Sequence, residues 1–145
     1  AGVYGPDHAG FPRPKEFDDV MHTHVLATMR LLPIVAPLVA ATRGKLAVIS
    51  SRMGSIGTRK GNEASLYRAS KAALNSVLAD AALTYGPQGA TCLTFHPGWV
   101  QTDMGGPGAA LTVQQSATGL RATLAQATPA QNGAFLNYDG TPIPW

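Results

Sequence analysis

Leu46-Ala47-Val48-Ile49-Ser50-Ser51-Arg52-Met53-Gly54-Ser55 runs from a short apolar segment into a polar turn. Four apolar residues without alternation predict a strand buried on both faces, the kind found in parallel sheets. The glycine-rich, polar stretch from Arg52 to Glu63 reads as a loop. From about Ser65 to Tyr85 alanine and leucine recur at helical spacing until Gly86-Pro87 stops them. Ala90 to Phe95 is the next strand, closed by His96-Pro97-Gly98, and a loop with Gly105, Gly106, Pro107 and Gly108 follows. Thr112, with Gln115 three residues on, predicts a capping box and a helix to about Ala127. Ala134 to Asn137 is a last short strand before a proline-broken tail ending at Trp145.

Upstream of the opening stretch, residues 1–14 are broken by glycine and proline and read as a loop. Pro14 opens a helix whose apolar residues Phe17, Val20, Met21, Val25, Met29 and Leu32 keep three-and-four spacing. Pro33 and Pro37 are expected to kink that helix or to end and restart it, and Arg43-Gly44 stops it. Helices alternating with strands predict an α/β fold, a parallel sheet covered by helices on both faces. With no repeat and no linker, residues 1–145 are read as a single domain.

The composition is that of a globular protein, 45% hydrophobic and 13% charged. The net charge of +3 is carried by scattered cations, of which Arg52, Arg59, Lys60, Arg68 and Lys71 are the nearest to a cluster. They lack the dense stripe and stacking aromatics of a nucleic-acid interface and read as a solvated surface. Cys92 is the single cysteine, set in an apolar strand, and fits a reducing compartment. The longest apolar stretch, Leu31 to Ala41, holds two prolines and is short for a membrane span. A soluble, cytoplasmic protein is expected, without nucleic-acid or membrane partners. His22 and His24 point to different sides of a helix, so no metal site is expected; His8 and His22 read as surface residues and His96 as a strand-end residue.

Ligands of open parallel sheets bind beyond the carboxyl ends of the strands, where Ser50-Ser51 and the segment Pro97 to Thr102 fall. Tyr67 and Lys71 stand near the start of the long helix, four residues apart and hence on one face. An ammonium beside a phenol favours the phenolate, so Lys71 is expected to lower the pKa of Tyr67 and make it a usable proton donor. Ser51 is placed to hold a carbonyl oxygen beside it.

Ile49-Ser50-Ser51-Arg52-Met53-Gly54-Ser55, then Tyr67-Arg68-Ala69-Ser70-Lys71-Ala72-Ala73-Leu74, then His96-Pro97-Gly98-Trp99-Val100-Gln101-Thr102-Asp103-Met104 come in an order and at distances that resemble the short-chain dehydrogenase/reductase family. The resemblance runs over the whole chain and implies a Rossmann-like, doubly wound sheet and an NAD(P)-dependent oxidoreductase acting on a small carbonyl or alcohol. It makes Tyr67 the general acid/base and gives Lys71 the nicotinamide ribose, with Ser51 orienting the substrate. Tyr67, Lys71, Pro97, Gly98, Val100 and Thr102 become the cofactor-binding set, Thr102 on the carboxamide. The serine loop is similar to that of small NADP-preferring carbonyl reductases, which tilts the choice of cofactor towards NADP over NAD. The complete protein is expected to form a homo-oligomer, dimer or tetramer, through the helix bearing Tyr67 and the one before it.

Two departures stand out. His24 falls where the family has an asparagine that shapes a water-bearing kink for proton relay, and histidine titrates near neutral pH. Weakened activity is expected, with asparagine at position 24 raising turnover. Secondly, the glycine-rich turn that cradles the pyrophosphate is absent, and Ala1-Gly2 looks like the end of the family's Asn-Asn-Ala-Gly segment. The N-terminal strands of the family's sheet are therefore expected to be missing, which leaves an apolar sheet edge. A catalytically inactive remnant that pairs with a full-length relative is the alternative. The loop from Gly105 to Leu111 is short and apolar and suggests a small or hydrophobic carbonyl; Trp99 and Met104 either line its pocket or pack.

Overall fold

A computed structural model describes residues 2–6 and 11–145; His8 and Ala1 of the sequence reading lie outside them. The chain runs α1 (Pro14–Met21), a π-helical turn (His22–Leu26), α2 (Ala27–Ala41), β1 (Lys45–Ile49), a 3-10 turn (Arg52–Gly54), α3 (Ser65–Tyr85), β2 (Thr91–His96), α4 (Val113–Gln126) and β3 (Phe135–Asn137). The strands pair in the order β1-β2-β3, all parallel. Ile49 is level with Phe95, and His96 with Asn137, so Ser50-Ser51, Pro97-Gly98 and Tyr138 leave the sheet at one end.

Helices cover both faces, as the alternation predicts. On one side Leu32, Ala36 and Ala40 of α2 meet Leu78, Ala81 and Ala82 of α3 over Leu46 and Cys92. On the other, Leu93, Phe95 and Leu136 pack under Leu120 and Leu124 of α4. Leu78, Leu93 and Phe95 are fully buried, each contributing roughly 1.5–3 kcal/mol of transfer free energy. Among the described residues β1 has β2 as its one partner, and Ile49 on it is 49% exposed.

The first helix differs from its expectation. Pro33 and Pro37 lie inside α2 without breaking it. Both are on the exposed side, where carbonyls that cannot pair with a proline nitrogen are free to meet water. The irregularity lies earlier: the Ala27 N–H reaches back to the His22 carbonyl, a five-residue step. Counted through this turn, Pro14–Ala41 spans 28 residues, long and apolar enough by length and composition to cross a membrane. The helix is thus longer than the apolar stretch Leu31 to Ala41, and it sends Val20, His24, Leu32, Ala36 and Ala40 into the protein core.

The tail closes against the loop after β1. The Ser55 hydroxyl donates to the Pro144 carbonyl at 2.5 Å, the Gly57 N–H to that of Trp145 at 2.9 Å, and the Trp145 ring stacks on Phe135. The turn that carries Ser51 is thereby fixed from both sides.

Candidate active site

Ser51, the second residue beyond β1, is extended and caps the 3-10 turn, its Oγ accepting the Met53 N–H at 3.2 Å. Gly54 lets that turn lie on α3. A Cβ there would meet Lys71 main-chain and Cβ atoms at 2.8 and 2.9 Å, closer than carbon atoms pack. Ser50, by contrast, turns inward, its hydroxyl donating to Asn75 Oδ1 at 2.6 Å. Asn75 in turn donates to the Gly54 carbonyl at 3.4 Å. Sequence reasoning missed Asn75; its signal was its place one turn beyond Lys71.

Tyr67 is 8% exposed, with the Ser51 hydroxyl beside it. Tyr4 packs its ring 4.9 Å from that of Tyr67, and the His24 ring stands edge-on at 5.7 Å. The expectation that Lys71 lowers the tyrosine pKa is corrected. Burial pushes the phenol up from its usual value, the Ser51 hydrogen bond opposes this, and Tyr4 adds to the rise. The Lys71 ammonium lies 5.6 Å from the ring centroid and donates to the Ile49 carbonyl at 3.3 Å instead. Burial lowers its own pKa to about 8, which leaves it cationic at neutral pH. Tyr67 is therefore a held proton, suited to be given up when negative charge develops beside it.

His24 is corrected as well. It is 2% exposed, and burial, with help from the Lys71 charge, lowers its pKa to about 4. It is thus neutral near pH 7 rather than titrating there. Its Nε2 accepts the Val3 N–H at 3.1 Å, so the ring proton is on Nδ1, which reaches Ser70 Oγ at 2.9 Å. Ser70 donates onward to the Tyr67 carbonyl at 2.8 Å. The imidazole thereby ties the 2–6 loop, the π turn and α3 together behind Tyr67.

Beyond the strand ends lies a cavity of about 940 Å³. Ser51, Tyr67, Pro97, Gly98, Val100 and Thr102 all line it; Lys71 and His24 sit behind its wall. Gly98 has φ +85°, and a Cβ on it would lie 2.3 Å from Leu111 Cδ1, so the turn admits no other residue easily. The Ser116 hydroxyl of α4 donates to the Pro97 carbonyl at 2.6 Å. Thr102 is exposed, its Oγ1 accepting the Gly105 N–H at 3.2 Å. Trp99 and Met104 line the cavity and are 58% and 50% exposed, which decides for wall over packing.

Arg68, read from sequence as solvated, is 7% exposed: its Nε donates to the Glu63 carbonyl at 2.8 Å and its Nη2 pairs with the Glu63 carboxylate. His96 lines the cavity, held neutral by burial and by Arg52, with a pKa of about 4. Among the described residues no three side chains group as metal ligands.

The sequence model for short chain dehydrogenases matches residues 1–110. The chain belongs to that family. Among similar proteins, the C-signal of Myxococcus xanthus is 34% identical over 134 residues, covering 90% of this chain and 81% of that protein. A 1-hydroxy-2-glutathionyl-2-methyl-3-butene dehydrogenase of Rhodococcus sp. is 32% identical, covering 100% and 66%. The solved structure of the carbonyl reductase Sniffer of D. melanogaster superimposes with a TM-score of 0.93 at 33% identity, and the NADPH-bound carbonyl reductase from chicken fatty liver with 0.85 at 31%. All of this chain is covered in both cases, but 64% and 63% of those structures. This short-chain dehydrogenase chain thus spans under two thirds of the structures it matches.

Proposed function

We propose that the protein is an NAD(P)-dependent oxidoreductase that reduces a small carbonyl compound to an alcohol, or the reverse. The observation that carries this is Ser51 and Tyr67 side by side on a cavity wall, with the Lys71 ammonium 5.6 Å from the tyrosine ring centroid. NADPH bound to the similar chicken carbonyl reductase, and NADP bound to a 31% identical dehydrogenase from Burkholderia multivorans, favour NADP over NAD. The residues present fit such a group. Lys71 is a buried ammonium with one long hydrogen bond, and Pro97, Gly98, Val100 and Thr102 line the cavity beyond the strand ends.

A bound nicotinamide supplies the hydride. Tyr67 and Lys71 would hold its ribose, and Pro97, Gly98, Val100 and Thr102 its nicotinamide end. Ser51 then donates to the substrate's carbonyl oxygen and orients it. The Tyr67 hydroxyl donates to the same oxygen and passes its proton over as alkoxide charge develops. The Ser51 hydroxyl, the group that opposes the rise of the tyrosine pKa, is beside the phenolate left behind. His24 acts as a positioning residue at the family's asparagine, and its replacement by asparagine is expected to raise turnover.

Nicotinamide fluorescence with NADPH, and with NADH in parallel, tests this reading. Binding that is lost in Lys71→Ala, with circular dichroism unchanged, supports it. A folded chain that binds neither nucleotide overturns the reading for this chain and favours the inactive, partner-bound alternative.

The exposed apolar residues Met29, Leu31, Ile34 and Leu38 on α2 support a homo-oligomer with a second copy against α2 and α3. Sedimentation equilibrium checks this: Ile34→Lys with Leu38→Lys should give a monomer. The protein is proposed to act in the cytoplasm, off membranes and nucleic acids, as one domain over residues 1–145.

A further inference from the structure

We propose that Arg52 selects carbonyl substrates that carry a carboxylate or similar anionic group. This rests on the reductase reading and names the substrate class for the same cavity.

Arg52 directly follows Ser51 and lines the cavity. It is therefore the cation nearest in the chain to the residue that would hold the reacting oxygen. Its guanidinium is aimed without being neutralised. One Nη donates at 2.8 Å to Oδ1 of Asn137, a neutral amide that is 8% exposed. Asn137 is itself fixed, its Nδ2 donating to Thr141 Oγ1 at 2.6 Å and its N–H to the Thr141 carbonyl at 2.8 Å. The acid in this corner, Asp139, accepts from the Thr141 N–H and hydroxyl at 3.0 and 2.7 Å. It makes no ion pair with Arg52 among the described residues.

The rest of the wall adds positive charge and takes little away. Glu63 is the acid that lines the cavity, and it is paired with Arg68. Lys60 lines it with no ion pair among the described residues. His96, beside Arg52, is neutral at pH 7, and its buried Nδ1 has no partner among the described residues. A guanidinium whose charge Asp139 feels only weakly and without an ion pair still concentrates anions in a concave wall, and its planar fork fits a carboxylate through two parallel hydrogen bonds. A residue placed only to brace Asn137 has no need of charge.

The test compares 4-carboxybenzaldehyde with its neutral methyl ester as substrates of the wild type, Arg52→Met and Arg52→Lys, with NADPH. The wild type should prefer the acid. In Arg52→Met the acid-to-ester ratio of kcat/KM should fall roughly 10- to 100-fold, with partial rescue by lysine, as for a charge-assisted hydrogen bond. NADPH affinity should hold. Equal use of acid and ester by the wild type overturns the proposal, as does a preference that survives Arg52→Met. A matching loss of NADPH affinity also overturns it, by assigning Arg52 to a cofactor phosphate. If neither aldehyde is reduced, the reductase reading fails separately. Arg52 is then decided by saturation-transfer NMR: benzoate binding that disappears in Arg52→Met supports the anion site, and none in the wild type removes it.

Discussion

Ser51 and Tyr67 are 7% and 8% exposed, while Trp99 and Met104, lining the same cavity, are 58% and 50% exposed. The first wall grows from a strand end and a helix, and buried groups brace it: Asn75 under Ser50, His24 and Ser70 behind Tyr67. The second is a segment that holds itself, by the Leu111 N–H to the Trp99 carbonyl at 3.0 Å and the Trp99 Nε1–H to the Gly105 carbonyl at 2.8 Å. Proton handling needs fixed geometry and has it before any ligand arrives. The opposite wall has surface to spare, which suits it to be covered by what binds.

Substitutions on the two walls should therefore differ in kind. The largest effect is expected for Tyr67→Phe, which keeps the ring packing and removes the proton. Turnover with NADPH, followed by nicotinamide absorbance, should fall by roughly 10²- to 10⁴-fold without loss of fold. A retained rate would move the proton donor elsewhere.

Next in size is an acid effect on the braced wall. The unfolded chain takes up a proton on His24 near pH 6.5, whereas the folded one holds off until about 4. Stability is then unaffected above pH 7 and falls as the pH drops from 6.5 towards 4, by roughly 2 kcal/mol between pH 7 and 5. His96 adds a loss of the same sign over the same window. His24→Asn should remove the His24 part and keep that of His96, seen as a smaller shift of the urea midpoint between pH 7 and 5. An unchanged shift would show that His24 is solvated in solution.

On the other wall, Gly98→Ala should cost roughly 1–3 kcal/mol at every pH, from the positive φ and the approach to Leu111. Thermal melting would report it, and a neutral result would mean that Leu111 moves aside freely. The smallest effect is expected for Thr102→Val, which frees one exposed N–H, that of Gly105. Stability should change by under about 0.5 kcal/mol, while NADPH affinity drops a few-fold. A stability loss as large as that of Gly98→Ala would erase the contrast between the walls.

The strands and the long helix were legible because apolar runs and alanine-leucine spacing report burial directly. The positions of Ser51, Tyr67 and Gly98 were legible because strand ends and helix spacing carry them to one end of the sheet. What side chains do on arrival was not. Lys71 turns to a carbonyl 22 residues away in the chain, and the shift of His24 depends on burial and on the Lys71 charge. Arg68 looked solvated because its partner, Glu63, precedes the helix and so escapes helical pair spacing. Arg52 looked like surface charge because the cavity that receives it forms only when three strand ends meet.

Val20, His24, Leu32, Ala36 and Ala40 are buried at multiples of four residues, a longer beat than the 3.6 of an α-helix. A regular helix would carry that stripe about 40° further round at every step. The widened turn at His22–Leu26 resets the phase midway. It acts as a splice: the turn absorbs one extra residue, so deleting one there would regularise the turn and leave Leu32, Ala36 and Ala40 on the side they already face. A deletion in the regular turns of α2 would instead swing everything beyond it by roughly 100°, so in this helix the count of residues is as binding as their kind.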